Sequence, residues 1–248
     1  MVRYATLLMP VFCLAWTLAA AQEGGDLQAQ ILYAFHSEDT GRLTTLVQAL
    51  GTQVQTRSTD NALRYHLAHA DYRLGLLEVA LHPRAADAAF SACIDLLKPL
   101  LALDPASVEA LVLQSACYSG LAGVKRFQAV LLRTRASERL AAALELAPRN
   151  PRAVLIAARE ELARGNPGSA GDAHAFARLQ LAAQLFEGSS ATNLELPGWG
   201  HAEAYLELGR QLELRGDVVG ARSWIEKALI ASPDYRAAKR QMADLMHP

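Results

Sequence analysis

Downstream of residue 26 the apolar positions recur three and four residues apart, and no run of alternating apolar and polar residues competes with them. That spacing predicts helices throughout. Toward the C-terminus it gives one helix over 202–215, a second over 218–232 and a third from Asp234, with Arg215, Gly216 and Asp217 between the first two. Glycine suits the left-handed conformation that closes a helix, and aspartate suits the N-cap of the next. Further helices are expected over 84–103, 107–121 and 151–164, and around Ala175, Leu179 and Ala182. The stretch 26–56 reads as one more helix pair. The predicted fold class is all-α.

Two of these helices share a finer pattern. Ala221, Ile225, Ala228 and Pro233 are spaced by four, three and five residues, and Ala136, Leu140, Ala143 and Pro148 repeat that spacing. Small residues on one face let a neighbouring helix approach closely, an aliphatic residue fills the gap, and proline stops the helix. Upstream of the first set, Tyr205, Leu208, Gly209 and Leu212 place one small residue among three large ones on a preceding helix.

On these residues the chain resembles the tetratricopeptide repeat (TPR) family, whose helix-turn-helix unit is about 34 residues long. The resemblance implies a right-handed helical-repeat solenoid of antiparallel helix pairs. The other units are degraded. Ala110, Leu113 and Cys117 keep their intervals, but Gln114 stands where the family prefers glycine, and "GVKRFQAVLLRT" lengthens a turn or its helices. Val154, Ala157, Ala158 and Glu161 mark a further unit, and Tyr65, Ala68, His69 and Tyr72 another. The chain then divides into a leader over 1–21 and a repeat domain over 22–248. Within the domain lie the N-terminal pair over 26–56, degenerate repeats over 60–105, 107–148 and 151–187, the best-matching repeat over 202–235 and a final helix over 234–246.

Pro148 and Pro233 are 85 residues apart, 17 more than two repeats of about 34 require. About five of the extra residues fall in "GNPGSAGD" and about 12 in "EGSSATNLELPGW", between helices, where a solenoid tolerates insertion. A Gly-rich turn followed by a Trp-Gly before the final unit is similar to an exported subgroup of repeat proteins.

Composition changes this picture in three ways. Twenty-four Lys+Arg against 25 Asp+Glu leave almost no net charge, which argues against a nucleic-acid binder relying on a bulk basic field. The opening "MVRYATLLMPVFCLAWTLAAAQEGG" places Arg3 before an apolar run and three alanines, the pattern of a signal peptide cleaved after Ala21. Its apolar run is shorter than the roughly 20 residues that span a bilayer. The expectation is an exported protein, periplasmic in a bacterial host, with no stable membrane insertion after cleavage. Cys93 and Cys117 each lie 12 residues from Pro105, so a helix pair folded at that turn sets them at one height. Two readings stay open: a disulfide, or two buried thiols.

No phosphate-binding loop, nucleophile elbow, His-Glu-x-x-His helix or Cys-x-x-Cys pair is present, so no enzyme and no cofactor is expected. His66 and His69, with Asp71 nearby, share a helix face but lack a complete ligand set, and ordinary packing is the preferred reading, with no metal. Lys125, Arg126, Arg133, Arg135 and Arg139, offset only by Glu138, form a basic stretch that reads first as a solvated face. The Arg-Gly-Asp tripeptide reads as an inter-helix turn rather than an adhesion ligand.

What the TPR resemblance implies about binding is a concave groove lined by the first helices. Its offsets select His66, Arg73, Tyr118, Arg152, Arg159, Leu206, Arg210 and Glu213 here, along with Leu111, Ser115 and Leu155. Arginines beside apolar and tyrosyl contacts suit an acidic protein or peptide partner. The leading expectation is therefore an exported, non-enzymatic scaffold. The alternative is a periplasmic carrier of a small or lipid-like ligand, associated with solute uptake, with a closed cavity near Trp199 and Phe186.

Overall fold

The computed structural model describes residues 26–165, 169–189 and 198–246. The leader and the centres of both insertions lie outside them. The described residues form α1 (26–36), α2 (Thr40–Thr56), α3 (Asn61–Glu78), α4 (Pro83–Leu103) and α5 (Val108–Val124), then a short 3-10 turn (Arg126–Gln128). They continue as α6 (Ala129–Leu146), α7 (Pro151–Arg164), α8 (Ala170–Ser189), α9 (His201–Leu214), α10 (Val218–Ala231) and α11 (Arg236–Met246). From α2 onward the helices pack mainly on their chain neighbours, while α5 also packs on α3 and α7. The result is an all-α solenoid of antiparallel helix pairs.

The helices begin where local chemistry dictates. Asp39, Asp60, Asn150 and Asp217 each cap a helix by accepting a backbone N–H in its first turn, and Pro83 and Pro151 occupy positions that need no donor. The long connection before α6 is the 3-10 turn.

Outer and inner helices bury different fractions of their surface. The outer α6 buries Leu132, Ala136, Leu140 and Ala143, and α10 buries Ala221, Ile225 and Ala228, a stripe one face wide. The inner α5 is buried continuously from Ala110 to Tyr118, because α3, α4, α6 and α7 surround it. Gly209 explains its small place in the repeat: a Cβ there would lie 2.7 Å from Ile225 and 3.1 Å from the Ala221 carbonyl, so only glycine lets α9 and α10 approach this closely. Cys93 of α4 and Cys117 of α5, both fully buried, are joined by a disulfide with Cα atoms 6.3 Å apart.

The tripeptide at 215–217 is a turn whose charged members are both engaged. Gly216 has a φ of +80°, the left-handed value that ends α9. Arg215 bonds Asp172 of α8 at 2.7 Å and lies over the Phe176 ring, while Asp217 accepts the Gly220 N–H at 2.8 Å.

The solenoid curls until its first helices meet its last. Glu38, just after α1, holds Arg240 of α11 through two hydrogen bonds of 2.5 and 2.8 Å. His36 bonds Ser232 at 2.8 Å, and its ring packs on Tyr235 with centroids 4.1 Å apart. This closure decides what the inner face can do.

Candidate functional site

Closure brings α1, α3, α7 and α9 around a shared interior, and Trp199 enters it from the segment preceding α9. Trp199 is 1% exposed, donates its indole N–H to the Tyr65 hydroxyl at 2.9 Å and stacks near His69 with centroids 5.6 Å apart. Burial pushes the Tyr65 phenol up, so it stays a neutral acceptor.

Beside Trp199 runs a chain of charged groups. Arg73 of α3, fully buried, donates to Glu203 of α9 across 130 residues of sequence and, through its Nε, to His69 Nε2 at 2.9 Å. Accepting that bond requires His69 to be unprotonated at Nε2. Burial and the neighbouring Arg73 charge hold its pKa well below the usual range, so the ring is neutral. Glu203 also receives the Gly200 N–H at 3.0 Å, which anchors the start of α9, and His36 lies 3.6 Å from it. Burial alone would raise the Glu203 carboxyl, but Arg73, aided by His36 and Arg159, holds it well below the ordinary carboxylate value.

The groove expectation meets this interior differently at each residue. Arg73 and Arg152 are committed internally. Arg152 makes a two-pronged bond to Glu109 of α5, at 2.6 and 2.7 Å, and Asn150 donates to the same carboxylate at 2.7 Å. Tyr118 and Leu206 are buried in the central and C-terminal cores. Closure buries these four, and of them only Arg73 borders the cavity at the junction. Leu111, Ser115 and Leu155 are buried as well. His66 is half-buried and held below its usual pKa by burial. Arg210 bonds Gln241 of α11 at 3.1 Å, and Glu213 accepts from the same amide group. Arg159 alone of the four inner arginines forms no hydrogen bond or ion pair with a described residue. Of the glutamates weighed as partners for these arginines, Glu160 takes the Ser119 hydroxyl at 2.8 Å and Glu213 takes Gln241, so neither neutralises one.

A cavity of about 410 Å³ lies at the junction, lined by Phe35, Tyr72, Arg73, Arg159, Glu203, Tyr235 and their neighbours. Trp199 and Phe186 do not line it. Trp199 is packed solid, and Phe186 stacks on His201 with centroids 5.7 Å apart. Among the described residues no group of three His, Cys, Asp or Glu could hold a metal ion, and none of the helices is long and apolar enough to cross a membrane.

The outer surface carries the second feature. At the start of α6, Phe127 is fully exposed, Val130 80% and Leu131 53%. Arg126, Arg133, Arg135 and Arg139 surround them, exposed and without an ion pair to any described residue, whereas Lys125 is held by Asp87 at 2.9 Å. Glu138 is the acid within this stretch.

No protein-family model matches the chain, and no curated protein matches it. Among solved structures it is similar to the crystal structure of TTC0263, a thermophilic TPR protein in Thermus thermophilus. The TM-score is 0.59 at 19% sequence identity, covering 91% of this chain and 98% of that one. At that identity the likeness establishes the fold: TPR-like helical repeats.

Proposed function

We propose that this TPR-like chain is an exported, non-enzymatic scaffold that docks an acidic protein partner on the outer face of α6. The carrying observation is the conjunction of exposed Phe127, Val130 and Leu131 with four exposed arginines that pair with no described residue. Exposed apolar side chains supply contact area, and guanidinium groups favour a segment carrying carboxylates and apolar residues. Apart from the cavity at the junction, much of the concave face, where such folds offer a groove, is filled here by the chain's own side chains. Export rests on the leader pattern of residues 1–21 and is consistent with the disulfide.

Cross-linking in the native exported compartment tests this reading. An Arg133→Glu, Arg135→Glu, Arg139→Glu variant is expected to lose at least tenfold of the captured partner, while Arg210→Glu, on the inner face, retains it. Loss with Arg210→Glu and retention with the triple variant would return the interface to the concave side. Partial sequencing of the mature N-terminus checks cleavage after Ala21, and an intact leader would remove export.

A further inference from the structure

We propose that the cavity where the two ends of the chain meet binds a small carboxylic acid with an apolar body, gripped by Arg159. This site shares no residue with the α6 face, and the two proposals stand or fall separately. Its volume of about 410 Å³ lies within the range of small-molecule sites. Phe35, Tyr72, Leu76 and Tyr235 give it a largely aromatic and aliphatic wall. An apolar body can displace water there without leaving polar groups unmatched.

The charged groups of the wall differ in what they already hold. Arg73 and Glu203 are bonded to each other, and Glu207 has the Arg210 guanidinium 4.0 Å away. Arg159 reaches the same wall from α7, half-buried, and bonds to no described residue. Burial opposes its charge, but the surrounding tyrosines and the carboxylates of Glu207 and Glu203 outweigh that and keep it ionised. A guanidinium that lines a cavity without a described hydrogen-bond partner is matched best by a carboxylate, which accepts two parallel N–H bonds. An amine would instead have to compete with Arg210 for Glu207, and a neutral amide would offer Arg159 a neutral acceptor in place of a charge-assisted pair.

The cavity belongs to the closed form, since Phe35 comes from α1 and Tyr235 from the turn before α11. Ligand binding therefore also holds the two ends together.

Isothermal titration of the mature full-length chain with 3-phenylpropionate, and with 3-phenylpropanamide as the uncharged control, tests the site. The acid is expected to bind at least tenfold more tightly than the amide and to raise the melting temperature. Arg159→Gln should reduce acid binding at least tenfold and leave amide binding unchanged, with Arg159→Lys intermediate. Leu76→Phe, which fills the cavity and alters no charge, should weaken both probes and decides the matter if Arg159→Gln does not fold. Equal affinity for acid and amide would overturn the proposal. So would no binding of the acid, or full acid affinity in either Arg159→Gln or Leu76→Phe.

Discussion

Arg73 and Arg152 on inner helices and Arg126, Arg133, Arg135 and Arg139 around the start of α6 carry the same guanidinium, and the fold treats them in opposite ways. The inner pair is buried and each member holds a carboxylate from a distant helix, Glu203 or Glu109. The outer four are exposed, beside exposed apolar residues, with no ion pair to a described residue. A buried charge must be matched within the protein or the fold loses several kcal/mol, whereas an exposed one is matched by water. The internal arginines here tie one helix to another, Arg73 joining α3 to α9 and Arg152 joining α7 to α5, whereas the outer ones tie no described helices together.

The comparison is broken most directly at Glu203. Replacing Glu203 with Gln leaves Arg73 charged and poorly matched in the interior, and a loss of about 3–5 kcal/mol in urea unfolding is expected. A loss under about 1 kcal/mol would show that the junction is solvated and that the pair does not hold the closure. Changing both Arg73 and Glu203 to Met should cost less than the two single changes together.

Asp71 sharpens the contrast from another side. It is a buried carboxyl on α3, and burial pushes its pKa up from 3.8 to about 7. The folded state therefore holds a proton that the unfolded state has released, and stability falls as pH rises from about 4 to about 7. Glu203 works in the reverse sense: its lowered pKa gives stability that is present above about pH 4.5 and lost as pH falls through its folded value. Asp71→Asn should remove the upper slope and make the protein more stable than the parent at pH 8, on the order of 2 kcal/mol relative to pH 5. Parallel unfolding curves for parent and variant across that window would show that Asp71 ionises freely.

The smallest effect is expected at the rim of the closure. Arg240 and Glu38 meet at short range, yet Arg240 is mostly exposed, so Arg240→Ala should cost no more than about 1 kcal/mol. A larger, salt-dependent loss would show that the ends are held at the surface and not by the interior.

The outer stripes were legible because a repeat writes them locally. Ala221, Ile225 and Ala228 face one neighbour at fixed spacing, Gly209 sits where α10 comes closest, and Gly216 and Asp217 supply turn and cap within a few residues. The site was less legible. Arg73, Arg152 and Arg159 all fall on groove-facing places of the repeat pattern, but Arg73 is matched by Glu203, 130 residues away, and Arg152 by Glu109, 43 residues away. Trp199 gave a partial signal, since a tryptophan beside glycine in an insertion marks a segment that packs somewhere. Its partner Tyr65 is 134 residues distant, and no spacing connects them.

By itself, then, the sequence determined the helical class, the pairing of neighbouring helices, the caps and the signature of the final repeat, because all of these depend on contacts within about one repeat length. Only the tertiary structure decided that the superhelix closes on itself, and with it which arginines are matched by a described residue and which are not. The per-repeat twist accumulates over the whole solenoid, so whether α1 meets α11 depends on small rotations summed along the chain, and no single stretch of residues encodes it.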